Sequence, residues 1–102
     1  PKLFIQVNIG NEPQKSGIHI QKLFEFFNYC KELDLNIVGL MCIPPIDEDP
    51  EISFSRMNYL NKKMNFKELS MGMSSDYLSA INFNSTYLRI GSEIFGQRLK
   101  KL

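Results

Sequence analysis

The hydrophobic positions of this chain change period along its length. Leu3 to Asn8 (LFIQVN) is a run of β-formers that ends in a polar turn, Gly10-Asn11-Glu12-Pro13, which predicts a strand followed by a loop. From Ile18 the spacing turns helical. Ile20, Leu23, Phe24, Phe27, Cys30 and Leu33 fall on one face, with Gln21, Lys22, Glu25, Asn28 and Lys31 off it. After the link Asp34-Leu35-Asn36, the continuous apolar run Ile37-Val38-Gly39-Leu40-Met41 predicts a strand buried on both faces, as in a parallel sheet. A long loop, Ile43-Pro44-Pro45 and then Asp47-Glu48-Asp49-Pro50, leads to a second helix with Phe54, Met57, Leu60 and Met64 on one side. Glu68 to Met71 is a short third strand. Ser74-Ser75-Asp76 is expected to cap a third helix with Leu78 and Ile81 facing inward. Thr86 to Ile90 is the fourth strand, and Gly91-Ser92-Glu93 turns it into a last short helix.

Strands alternating with helices imply right-handed crossovers and a parallel sheet. The first two repeats take roughly 32 residues each, against ~31 per unit in an eight-unit barrel. The expected fold is therefore α/β: a (βα)4 half of a (β/α)8 TIM-type barrel spanning residues 1–102. A small doubly wound sheet is the other option, but no G-x-G-x-x-G turn follows the first strand. Half a barrel leaves its inward side chains (candidates Phe4, Gln6, Val38, Leu40, Leu69, Met71 and Leu88) without an opposite wall, and its outer strands as open edges. A partner is expected: the missing N-terminal barrel half or a second copy of the chain. The opening at Pro1, directly into a strand-like run, fits a fragment.

Composition narrows the class. The chain has 102 residues, is 43% hydrophobic and 23% charged, and carries a formal net charge of +1, which reads as one globular domain. A broad basic face is lacking, with only Arg98, Lys100 and Lys101 clustered, so nucleic acid is not an expected partner. No apolar run approaches the ~20 residues of a membrane span, and the start does not read as a signal peptide. Cys30 and Cys42 have no metal-ligand spacing. They read as free thiols in a reducing cytoplasm, and no metal is expected.

Candidate chemistry gathers in the loops after the third and fourth strands, where barrels commonly bind phosphate. Met71-Gly72-Met73-Ser74-Ser75-Asp76 and Gly91-Ser92 offer hydroxyls and unhindered amides at helix starts. Helix capping explains Ser75-Asp76 equally well. Arg89 inside an apolar strand is either one half of a structural ion pair or a fixed cation facing an anion or a ring acceptor. Lys15 and His19 read as solvated surface groups. The acidic stretch from Asp47 lacks the alternation of a calcium loop.

Four ordered blocks, IQVNIGNEPQKSGI, GLMCIPP, LSMGMSSDY and STYLRIGSEIFGQR, resemble the C-terminal half of the pyridoxal phosphate homeostasis proteins, a family related to the barrel domain of alanine racemase. The resemblance implies a (β/α)8 barrel that binds pyridoxal 5'-phosphate and buffers or delivers it, without an established catalytic reaction. It implies that Ser74 holds the cofactor phosphate, that Gly91 and Ser92 add backbone and hydroxyl contacts, that Arg89 faces the pyridine nitrogen, and, more loosely, that Met41 lies near the ring. The Schiff-base lysine belongs to the first barrel strand, in the other half; Lys15 does not match it, so no catalytic residue is assigned. The alternative is half of a racemase or decarboxylase barrel of the same type. Such enzymes carry a β domain after the barrel, whereas this sequence stops at Leu102.

Overall fold

The computed structural model describes residues 1–13 and 16–89. Strands β1 (Leu3–Gln6), β2 (Ile37–Met41), β3 (Glu68–Met73) and β4 (Tyr87–Arg89) alternate with helices α1 (Leu23–Glu32), α2 (Pro50–Lys63) and α3 (Tyr77–Asn82). A short 3-10 turn, Ile20–Lys22, leads into α1. The strands form one sheet in the order β1-β2-β3-β4, and all neighbouring pairs are parallel. The expected last helix lies outside the described residues.

Each helix returns to the sheet through the same local device. Asp34, Asn65 and Asn84, just past the three helices, all have positive φ (61°, 63° and 73°). In each case the next residue's N–H reaches back to a helix carbonyl: Leu35 to Cys30 (3.1 Å), Phe66 to Asn61 (3.0 Å) and Ser85 to Ala80 (3.1 Å). The positive-φ residue bonds inside that loop, Asp34 to Lys31, Asn65 to Lys62 and Asn84 to Ile81, each at 3.0 Å. These are Schellman closures, with Asp or Asn in the left-handed position that such short polar side chains tolerate. At its start, α2 has Pro50 in the first turn, and Asp49 Oδ1 accepts the Glu51 N–H at 3.0 Å.

All three helices lie on one side. Leu23 and Cys30 of α1, Phe54 and Met57 of α2, and Ala80 of α3 share a single buried cluster with Ile5, Val7, Leu40, Cys42, Leu69 and Met71. A doubly wound sheet would have helices on both faces and a reversal in strand order. Among the described residues only one face is covered and the strand order is sequential, which is barrel wall.

This arrangement corrects part of the inward set. Leu40, Leu69 and Met71 point at the helices, and Leu88 packs against the same cluster. The uncovered face carries Phe4, whose ring meets Tyr87 edge-on at a centroid distance of 5.1 Å. Three steps of ~4.8 Å separate β1 from β4 along a flat sheet, so this contact requires strong curvature, concave on that face. Gly39 makes the crossing possible: a Cβ there would lie 3.1 Å from Phe4 Cε2 and would overlap the Glu68 carbonyl.

Two helix faces also differ from expectation. Phe24 is 67% exposed and Leu33 is exposed, because α1 packs through Leu23, Phe27 and Cys30, and Phe24 sits ~100° round the helix from Leu23. Leu78 (67% exposed) and Ile81 face outward, while Ala80 faces in. The end of β3 comes so close that a Cβ on Gly72 would lie 2.7 Å from that of Ala80, which leaves no room for a larger side chain under α3.

Candidate functional site

The carboxyl ends of the strands form a rim of three packed loops. The loop after β1 is drawn tight by buried Asn8, which donates from Nδ2 to the Glu12 carbonyl (2.6 Å) and accepts the Glu12 N–H at Oδ1 (3.0 Å). A parallel bridge of Val7 with Ile18 closes that loop, and His19 Nδ1 bonds Asn11 Oδ1. The loop after β2 lies alongside: a Cβ on Gly10 would meet the Pro45 ring. The third loop is the turn after β3.

That turn is closed twice. The Met73 N–H donates to Asp76 Oδ1 at 2.7 Å, and the Asp76 N–H donates to the Met73 carbonyl at 3.1 Å. Ser74 and Ser75 are its central residues. Gly72, at φ 108°, lets the chain leave β3 in this direction. The expected capping role is therefore revised: Asp76 is the N-cap residue of α3, but its carboxylate serves the turn and not the helix amides. Nothing in the periodicity distinguished these uses; the one signal was an Asp three residues after the strand end, the spacing of a closed polar turn.

Of the expected site residues, Met41 ends β2, half-buried, in register with Gln6 and with Ser70. Ser74 is half-buried in the turn that follows β3. Arg89 is described by its backbone alone; it ends β4 and pairs with Met73. Met41, Ser74 and Arg89 thus sit at the same edge on successive strands. Gly91, Ser92 and Lys15 lie outside the described residues. Among the described residues no group of three or more His, Cys, Asp or Glu could hold a metal ion, and no helix is long and apolar enough to cross a membrane.

A groove of about 440 Å³ opens on this rim between the loop after β2 (Ile43 to Ile46) and the turn at Met73, Ser75 and Asp76. A second, of about 410 Å³, adjoins Ser74 and Ser75 on the side of Asp49 and Glu51. Hydroxyls and turn amides suit a phosphate. Three of the carboxylates nearby are engaged by local donors: Glu51 Oε2 accepts from the Ser79 hydroxyl (2.8 Å), Asp49 caps α2 and Asp76 closes the turn; Glu48, which lines the first groove, has its buried Oε1 without a partner. The donor set fits an anion held at Ser74, with the carboxylates of Asp76 and Glu48 as its cost.

Sequence reasoning missed Asn61. It is 5% exposed, accepts the Leu40 N–H at Oδ1 (3.0 Å) and donates from Nδ2 to the Glu68 carbonyl (2.8 Å), clasping β2 to β3. Ser85 and Thr86 do similar work on β3: the Ser85 hydroxyl donates to the Met71 carbonyl (2.6 Å), and the Leu69 N–H donates to Thr86 Oγ1 (2.8 Å).

No protein-family model matches the chain. Curated relatives do. The pyridoxal phosphate homeostasis protein of Aquifex aeolicus is 38% identical over 106 residues, covering 94% of this chain and 46% of that protein. The one from Vibrio cholerae is 39% identical, covering 95% and 45%, and the one from Schizosaccharomyces pombe is 38% identical, covering 94% and 45%. Among solved structures, PipY of Synechococcus elongatus with pyridoxal phosphate bound superposes with a TM-score of 0.76 at 28% identity, over 88% of this chain and 46% of that one. An unknown protein from Bifidobacterium adolescentis gives 0.78 at 29% identity, over 92% and 42%. The chain thus spans a little under half the length of the relatives it matches. With four parallel strands that match about half of such a barrel, the chain belongs to the pyridoxal phosphate homeostasis protein family.

Proposed function

We propose that this chain is the C-terminal half of a pyridoxal phosphate carrier barrel and supplies its phosphate and ring-nitrogen sites. The observation that carries this is the pairing of Met73 with Arg89 across adjacent strand ends, which sets the Ser74 turn beside the start of the Arg89-to-Ser92 block. The Ser74 hydroxyl and turn amides donate to the phosphate, Gly91 and Ser92 complete that cradle, and the Arg89 guanidinium donates to the pyridine nitrogen. Met41 borders the ring.

When bound, the cofactor supplies an electron sink whose strength depends on a protonated ring nitrogen. A guanidinium is always protonated and donates to that nitrogen, which disfavours its protonation and damps carbanion chemistry. Holding without reacting is the behaviour of a buffer, so no catalytic reaction is assigned to these residues. The lysine that anchors the cofactor covalently belongs to the other half of the barrel, which also covers the Phe4–Tyr87 face.

The test is a pair of titrations on the natural gene product that contains this chain, one with pyridoxal phosphate and one with pyridoxal. Ser74→Ala is expected to weaken the first by roughly ten- to a hundredfold, the loss of one or two hydrogen bonds to a charged group, and to leave the second unchanged. Equal effects on both ligands would refute the phosphate assignment.

A further inference from the structure

We infer that Asp76 is a positioning residue for the cofactor phosphate and also, through its charge, a brake on how tightly that phosphate is held. This rests on the phosphate assignment above and extends it to the control of affinity. Asp76 shapes the turn directly, because its carboxylate accepts the Met73 N–H at 2.7 Å while its own N–H returns to the Met73 carbonyl at 3.1 Å. Ser74 is a central residue of the turn that these two bonds close, so its backbone position depends on them. Asp76 is two residues from Ser74 in a tight turn, so their Cα atoms lie within ~7 Å of each other. Among the described side chains no Lys, Arg or His pairs with it, and one N–H bond does not cancel a full charge. A site built only for strong phosphate binding would close this turn with a neutral acceptor.

A buffer has a different requirement: it must give the cofactor up. A carboxylate that organises the site in the empty protein and repels the dianion in the loaded one meets both needs. It keeps the loop preformed, so association stays fast, and it raises the rate of release, where most affinity tuning is felt.

Two substitutions separate the roles. Asp76→Asn keeps the Oδ1 acceptor and removes the charge. Asp76→Ala removes both. In the natural gene product, titrated with pyridoxal phosphate and with pyridoxal, Asp76→Asn is expected to tighten pyridoxal phosphate roughly three- to tenfold at low salt, the size of one charge acting on a phosphate at ~7 Å in a solvated site. The gain shrinks in 1 M salt, and pyridoxal is unaffected. Asp76→Ala is expected to weaken pyridoxal phosphate, because the turn loses its closure. If Asp76→Asn leaves affinity unchanged or weakens it while Ser74→Ala still weakens pyridoxal phosphate selectively, the brake is refuted and the phosphate site stands. If Ser74→Ala has no selective effect, the phosphate site itself fails, and this inference fails with it.

Discussion

The clasp at Asn61 gives the sharpest test of how the sheet is held. Its amide accepts the Leu40 N–H at 3.0 Å and donates to the Glu68 carbonyl at 2.8 Å, from a side chain that is 5% exposed. Asn61→Ala leaves the buried Leu40 N–H and the part-buried Glu68 carbonyl without these partners. Each such group costs ~1–3 kcal/mol, so the expected loss is ~2–5 kcal/mol, a large share of the ~5–15 kcal/mol that holds a typical domain. Asn61→Asp sharpens the point. It keeps the acceptor for Leu40 but turns a charged oxygen toward the Glu68 carbonyl. Burial raises a carboxyl's folded pKa above its unfolded ~3.9. The folded state then binds the extra proton, and stability relative to the parent falls as pH rises from ~4 through that folded value. The deficit should therefore be largest near neutral pH and shrink toward pH 4, where a protonated carboxyl can again donate to Glu68. Urea melts of the assembled protein at pH 7 and pH 4.5 read both effects as shifts in midpoint at constant slope. A cost under 1 kcal/mol for Asn61→Ala, or a deficit for Asn61→Asp that does not depend on pH, would show that the clasp is not what joins α2 to the sheet.

Three further outcomes follow from single features. Gly72→Ala forces a Cβ to 2.7 Å from Ala80 Cβ and 2.9 Å from Leu88 Cδ2 at φ 108°; strain and overpacking together should cost ~2–5 kcal/mol in chemical denaturation, and a cost below 1 kcal/mol would mean that α3 does not sit this close to β3. Asp34→Gly relieves a left-handed position at φ 61° without touching the two Schellman bonds, so thermal melting should rise by a few degrees, whereas Asp34→Ala should lower it. The isolated 11.8 kDa chain, whose described residues leave two strand edges and a concave face open, should sediment as an associated species; a well-behaved monomer at micromolar concentration would contradict that expectation.

Much of this fold was legible because local rules agree with it. Four strand-like stretches with helical stretches between them predicted the alternation; their spacing fitted barrel wall, and the missing G-x-G-x-x-G turn counted against an open sheet. The helix ends were less legible. Asp34, Asn65 and Asn84 stand at equivalent places, yet the polar residues around each are too varied to mark one shared closure. Leu78 and Ile81 were misplaced because a six-residue helix is too short for periodicity to show which side packs, and the deciding fact, the close approach of Gly72 to Ala80, is tertiary. At the candidate site the blocks themselves were plain, but the use of Asp76 was not. A carboxylate that closes a turn and one that caps a helix look identical when only their positions are known.

The inward set went wrong for a reason that matters to function. In a barrel wall both faces of each strand can be apolar, so the alternation that normally separates inside from outside is weak. Leu40, Leu69 and Met71 were assigned to the interior because they are apolar, yet apolarity is what the helix-facing side demands most strongly. The cluster between sheet and helices takes those residues and leaves the concave face with a mixed set: Phe4 and Tyr87 in contact, and Gln6, Met41 and Ser70 in one register. A face that served only to fill a barrel would be uniformly aliphatic. Tyr87 shares that register through Ser70, so aromatic, thioether and polar side chains stand at one level of the face below the rim where Ser74 turns, and a face so mixed can meet a ligand with both apolar contacts and hydrogen bonds.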